Sequence, residues 1–198
     1  MENPLLSMTN EELWQLFPIV LTEHQAVWIK RYAEEAGRLT EAVGKENIIR
    51  IDHIGSTSVP GLLAKPTIDI LLQIRDTAKP EAFIERMQKA GYLFSPQPQK
   101  PPPHMMFLKG YTVNGFEGQV YHVHVRYQGD WDELYFCEYL RRHPEKAREY
   151  GELKLRLQKE YEHDRDGYTA AKSDFILSVT KLARARTAAP EMPCTFSH

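Results

Sequence analysis

Cysteine is scarce in this sequence: Cys137 and Cys194 are the only two in 198 residues. They lie far apart and have no metal-ligand or redox spacing, which excludes a disulfide framework and a thiolate centre and leads us to expect a reducing, cytoplasmic setting. Long apolar runs are missing as well. No window approaches the roughly 20 residues of a membrane span, and the acidic start from Met1 to Glu12 lacks the basic and apolar regions of a signal peptide, so no membrane partner is expected. Nor is there an excess of charge of one sign. Lysine and arginine number 25 against 27 aspartates and glutamates, which leaves no global positive field for a polyanion, and nucleic acid is not an expected partner. Any phosphate must be held locally. No internal repeat is present.

The length fits one domain. We read it as residues 1–186, with a sheet-containing core over 18–128, a helical part over 129–186 and a loose tail over 187–198. Thr9-Asn10-Glu11-Glu12 is a capping box opening a short helix that Pro18 stops. Trp28, Tyr32, Ala36, Leu39 and Val43 recur at helical spacing from Gln25, with Lys30, Arg31, Glu34 and Glu35 on other faces, and Gly44 is the expected end. Pro80 to Ala90 reads as a helix ending at Gly91. The run from Ser95 to Pro103 is too rich in proline for regular structure and reads as a lid or a spacer. After Gly129 the pattern is helical: Asp130 caps a helix to Arg142, and Pro144 opens one whose stripe is Ala147, Tyr150, Leu153, Leu157 and Tyr161. A last helix uses Tyr168, Phe175, Ile176, Val179, Leu182 and Ala183.

The strands carry the chemistry. Ile48–Ile54 and Thr67–Ile74 are β-branched and short, and His104–Tyr111 and Gly118–Tyr127 form a hairpin around Asn114-Gly115. Alternation puts Ile68, Ile70, Leu72 and Ile74 on one face and Asp69 on the other, with Thr67, Leu71 and Gln73. It also puts Val120, His122, His124 and Arg126 in one row.

Between the first two strands lies His53-Ile54-Gly55-Ser56-Thr57-Ser58-Val59-Pro60-Gly61-Leu62. Gly55, Ser56 and Thr57 can cradle a phosphate on turn N–H groups and a hydroxyl, or can simply cap a turn. Asp69, a lone acid in an apolar strand, needs a cation, either a metal ion or a basic side chain such as Lys65, Lys154 or Lys172. His122 and His124 point the same way and can ligate a metal with Asp69, serve as general base, or be polar surface; His53 is a candidate for the same cluster. Lys154 and Lys172 interrupt apolar helical stripes, so they either snorkel at the core edge or aim at phosphates. Arg141, Arg142 and Lys146 to Arg148 read as solvated helix surface.

These motifs, with Lys65-Pro66-Thr67-Ile68-Asp69-Ile70, His122-Val123-His124-Val125, Tyr139-Leu140-Arg141, Leu153-Lys154 and Tyr168, resemble the GrpB family from about Pro18 to Leu182. Members of that family are also found fused to dephospho-CoA kinase. The resemblance implies an α+β, nucleotidyltransferase-like fold, a mixed sheet with flanking helices and a C-terminal helical segment. In such proteins a Gly-Ser turn holds nucleotide phosphates, two acids at alternate strand positions bind Mg²⁺, and a third acid lies on a later strand. Gly55-Ser56 and Asp69 match; Leu71 stands where the second acid belongs, and His122 or His124 where the third would lie. Two-ion chemistry needs several carboxylates, so a single divalent ion on Asp69, His122 and His124 is expected, softer than Mg²⁺ and better matched by Mn²⁺ or Zn²⁺. The expected activity is metal-assisted nucleotidyl or phosphoryl transfer on a nucleotide-like ligand, with Asp69 and His124 catalytic and Gly55, Ser56, Thr57, Lys65, Arg126, Lys154 and Lys172 on the substrate. The alternative is a noncatalytic module that binds a nucleotide or a CoA-related ligand, or assists folding.

Overall fold

A computed structural model of the chain describes residues 4–188. In chain order the elements are α1 (Asn10–Leu16), α2 (Val27–Val43), β1 (Ile48–Ile54), β2 (Thr67–Ile74), α3 (Pro80–Lys89), β3 (Leu93–Pro96), β4 (Met105–Thr112), β5 (Gly115–Tyr127), α4 (Asp132–Arg142), α5 (Pro144–Glu160), α6 (Arg165–Ala171) and α7 (Ser173–Ala188). Cys194 and the expected tail beyond Ala188 lie outside the described residues. The strands make one sheet in the order β1-β2-β5-β4-β3. β2 is antiparallel to β1 and parallel to β5, and β4 is antiparallel to β5 and β3. This is the expected α+β arrangement of a mixed sheet with flanking helices. No helix of the described residues is long and apolar enough to cross a membrane.

The alternation of β2 divides the molecule. Ile68, Ile70, Leu72 and Ile74 are buried against α2 and α3 with Trp28, Leu39, Phe83, Met87, Phe107, Val123 and Val125. Each side chain of this size contributes roughly 1.5–3 kcal/mol when fully buried. On the opposite face Leu71 joins Ile54, Val59 and Leu62 beneath Phe136, Leu140, Tyr150 and Val179 of the C-terminal helices. That second core covers one side of the face and leaves the polar row of β5 facing a cavity.

Several expectations need correction. Glu35 is fully buried, because β4 brings Lys109 to α2: its carboxylate accepts from the Tyr92 hydroxyl at 2.5 Å, Lys109 Nζ at 2.6 Å and Arg38 at 2.8 Å. Three donors replace the water it loses. Ser95 and Pro96 belong to edge strand β3 rather than to an irregular run, a place where proline's missing donor does no harm. Asp130 does not cap α4, whose cap is Trp131; its carboxylate pairs with Arg184 at 2.5 Å instead. The last helical segment breaks at Lys172 into α6 and α7, and Leu182 is exposed.

Candidate functional site

β1 ends with Ile54 opposite Asp69 of β2, and the chain then turns sharply at Gly55. Gly55 has φ +69°, and a Cβ built there would meet Asp69 Oδ2 at 2.4 Å, so both the backbone angle and the space require glycine. Ser58 closes the turn by donating its hydroxyl to Gly55 O at 2.7 Å. Thr57 points inward: it is buried, donates to Thr67 O at 3.2 Å and lies 3.0 Å from His53 Nε2. It therefore holds the turn together and does not line the cavity expected to take substrate. Ser56 does line it, and its Oγ accepts from Lys154 Nζ at 2.9 Å.

The register of the parallel pair sets Asp69 beside His122 and Leu71 beside His124. Both imidazoles converge on the same carboxylate oxygen: His122 Nδ1 lies 3.4 Å and His124 Nε2 3.3 Å from Asp69 Oδ1. Asp69 is thus partnered by the histidines and not by a lysine. Burial works to raise its pKa, but hydrogen bonds from His122 and His124 outweigh this and hold it well below the usual carboxylate range. His122 is shifted down by burial, with Asp69 opposing. One ligand atom from each of the three residues lies within 4.8 Å of the other two, so the set fits a single divalent ion with two nitrogen donors and one oxygen donor. Leu71 is buried in the apolar cluster and supplies no further ligand.

A bulge adds a residue that alternation does not place here. The β4–β5 register shifts between Lys109 and Tyr111, where Gly110 has φ +87° and a Cβ would meet Gln119 O at 2.8 Å. Strict alternation would send Tyr111 to the Glu35 side with Lys109; the bulge returns it to the cavity side, where its hydroxyl lies 2.6 Å from His122 Nε2. Arg165 donates to that hydroxyl at 3.3 Å. The Tyr111 hydroxyl thus pairs with His122 Nε2 and fixes the ring so that Nδ1 faces Asp69, the arrangement by which an outer partner orients a metal-binding histidine.

Across the cavity, of about 610 Å³, stand Lys65, Lys154 and Lys172. Lys154 is buried rather than snorkelling, and donates to Ser56 and to Leu63 O. Its ammonium lies 4.6 Å from the centre of the Tyr150 ring, and that of Lys172 lies 4.1 Å from the Tyr168 ring. Burial first, then the neighbouring lysines, push Lys154 and Lys172 down to about 7, and burial with Arg165 pushes Lys65 to about 8. Among the described residues, no carboxylate lies within ion-pair distance of these three lysines, a placement that favours an anion, although Asp69 acts on Lys65 and Lys172 through space. At the mouth, Arg126 is buried, its Nε has no hydrogen-bond partner among the described residues and Glu133 lies 3.7 Å away, while Arg184 pairs with Asp130 and Asp132. Lys100 and Pro101 of the proline-rich loop also line the mouth.

Of the residues expected at the site, Gly55, Ser56, Lys65, Asp69, His122, His124, Arg126, Lys154 and Lys172 share this cavity. His53 does not: it stacks on Tyr32 on the α2 side of the sheet, and burial, then Arg141, lowers it to about 4. Arg141 is not free surface, for it donates to His53 O at 3.1 Å and Ser58 O at 3.0 Å and so brackets the turn. Cys137 accepts the Gly55 N–H at 3.1 Å from beneath. Burial raises its thiol to about 11, so it supports the turn as an inert group. Gly110, an isolated glycine inside a strand pattern, was the one local signal for the bulge.

The family profile described as "GrpB protein" matches residues 18–182. A UPF0157 protein of Pseudomonas aeruginosa is 36% identical over 167 residues, covering 82% of this chain and 66% of that one. A dephospho-CoA kinase of Mycolicibacterium paratuberculosis is 25% identical over 189 residues, covering 84% of this chain and 46% of that one. The chain therefore spans only part of these relatives' lengths. The crystal structure of conserved protein GrpB from Enterococcus faecalis superposes with a TM-score of 0.74 at 31% identity, covering 86% of this chain and all of that one.

Proposed function

The chain belongs to the GrpB family, and from that premise we propose that its cavity binds a phosphate-bearing, nucleotide-like ligand and carries out metal-assisted phosphoryl or nucleotidyl transfer. One observation carries this reading: a carboxylate with two convergent imidazoles faces the same cavity as Ser56 and three lysines that make no ion pair among the described residues. Ser56 and Lys154 hold the phosphates near the turn, with Lys172 and Lys65 neutralising charge around them. Asp69, His122 and His124 would hold one divalent ion, which when bound would supply neutralisation of phosphoryl oxygens. Two imidazole donors favour Mn²⁺ or Zn²⁺ over Mg²⁺. His124, 25% exposed against 14% for His122, is the more open histidine, and it would serve as base to an acceptor's proton only if Asp69 and His122 alone held the ion. The test is turnover of ATP or GTP with Mn²⁺ or Zn²⁺: the wild type turns over only with metal and Asp69→Asn does not. Equal turnover in the variant would remove Asp69 from the chemistry.

A second reading, binding without turnover, is favoured by Leu71, whose burial leaves the position of a second metal-binding acid apolar. The likeness to a dephospho-CoA kinase adds a CoA-related ligand to the candidates. Thermal shifts with ATP, GTP and dephospho-CoA, with and without metal, separate the two readings. Stabilisation without turnover supports the second, and no response to any of them counts against both.

A further inference from the structure

A second cavity, of about 210 Å³, lies behind the first, and Lys65 and Thr67 line both. Its apolar walls include Ile19, Trp28 and Phe116, and three cations converge on it, Arg31, Lys65 and Arg165. Among the described residues, no aspartate or glutamate is in its lining. The partners of these cations are neutral: Arg31 donates to the amide oxygen of Gln119 at 2.7 Å, Arg165 to the Tyr111 hydroxyl at 3.3 Å, and Lys65 lies 5.6 Å from the centre of the Tyr168 ring. Positive charge is therefore concentrated in a small, largely apolar space whose described lining holds no carboxylate, with Asp69 of the neighbouring cavity acting on Lys65 only through space. Arg165, after burial, also helps to lower the pKa of Lys65, a sign that the cations act on one another. A ligand that suits such walls has one end apolar and the other anionic.

The two arginines refine the class. A guanidinium presents parallel N–H donors to a planar carboxylate, and a flat body suits walls built from an indole and a phenyl ring. We propose that this cavity is a second ligand site, for a small organic carboxylate with an apolar or aromatic body. The proposal goes beyond the transferase reading and does not depend on it, because none of Asp69, His122 and His124 lines this cavity.

Fluorine NMR of para-fluorobenzoate tests it, at the millimolar concentrations on the order of what a ligand of this size requires. Line broadening with the wild type should weaken on the order of tenfold in Arg31→Gln, about the loss of one charge-assisted hydrogen bond. It should also weaken in Phe116→Ala, a change at a partly exposed wall that guards against a folding defect in the first variant, and para-fluorobenzyl alcohol should bind far less. No binding to the wild type, equal binding in both variants, or displacement by equimolar inorganic phosphate would overturn the assignment. Nucleotide titration of the same samples keeps the two ideas apart. Failure to bind nucleotide with fluorobenzoate binding intact refutes the transferase reading alone, and the reverse pattern refutes this one alone.

Discussion

The Asp69 carboxylate fills the space that a side chain on residue 55 would need, with Oδ2 2.4 Å from a Cβ added to Gly55. The backbone at Gly55, φ +69° and ψ −175°, lies in a region essentially confined to glycine and costs an alanine roughly 1–3 kcal/mol, and the displaced carboxylate would also lose His122 and His124. Gly55→Ala is therefore expected to lower both the melting temperature and the affinity for Mn²⁺. Gly37, mid-helix with nothing within 4 Å of its added Cβ, is the contrast. Gly37→Ala should stabilise by roughly 0.5–1 kcal/mol and leave metal affinity unchanged.

Arg141 and its neighbour Arg142 should behave differently although both are helix arginines. Arg141 holds two carbonyls of the Gly-Ser region, whereas Arg142 is 75% exposed and pairs with Glu138. Arg141→Ala should cost about 1–3 kcal/mol in urea denaturation and weaken nucleotide binding. Arg142→Ala should change stability by less than about 1 kcal/mol. Equal effects would show that the bracket on the turn is unimportant.

Glu35 lies on the other side of the sheet and should matter only to stability. Burial works to raise its pKa, but the Lys109, Tyr92 and Arg38 hydrogen bonds prevail and hold it below its usual value. The unfolded chain therefore binds the proton more readily. The contribution of Glu35 is present above the unfolded pKa and is lost as pH falls through the lower, folded one. Glu35→Gln should destabilise by about 3–5 kcal/mol, as breaking a buried pair does, flatten the acid limb of the stability profile, and leave ligand affinity intact in whatever fraction remains folded.

The cavity lysines titrate in the opposite range. Lys154 and Lys172 at about 7 and Lys65 at about 8 bind fewer protons folded than unfolded, up to the ordinary lysine pKa of about 10.4. Through this window the unfolded chain holds more protons, so the free protein gains stability as pH rises. An anionic ligand favours the ammonium forms, so its affinity should fall as pH rises from about 7 to about 9, with proton uptake on binding. Calorimetry at about pH 8 in two buffers of different ionisation enthalpy measures that uptake. It should shrink in Lys172→Met, and zero uptake in the wild type would contradict the placement of the ligand among the lysines.

How far the sequence carried this description depends on the element. Period-2 alternation in β2 and β5 placed Asp69, His122, His124 and Arg126 on one polar face and Leu71 with them, because the two strands pair in unbroken register from Thr67–Val120 to Ile74–Tyr127. Tyr111 was hidden by the bulge at Gly110, which defeats a strict count of two. Arg141, Cys137 and Glu35 were hidden for a different reason. Each sits on a helix whose own pattern is amphipathic, and its partner is far away in the chain, such as Gly55 for Cys137 over 82 residues. Local spacing tells which residues share a face, but not which distant segment that face meets. Lys154 illustrates the middle case: its position in an apolar stripe was visible, and its end point at Ser56 was not.

Manganese titration followed by electron paramagnetic resonance, in the presence of ATP, is the most direct test of the site at Asp69. The wild type should bind a single ion, and Asp69→Asn should weaken that ion at least on the order of tenfold, as loss of a charged ligand requires, while Arg142→Ala leaves it unchanged. The same ion stoichiometry and affinity in Asp69→Asn as in the wild type would contradict the assignment of Asp69, His122 and His124 as the metal centre.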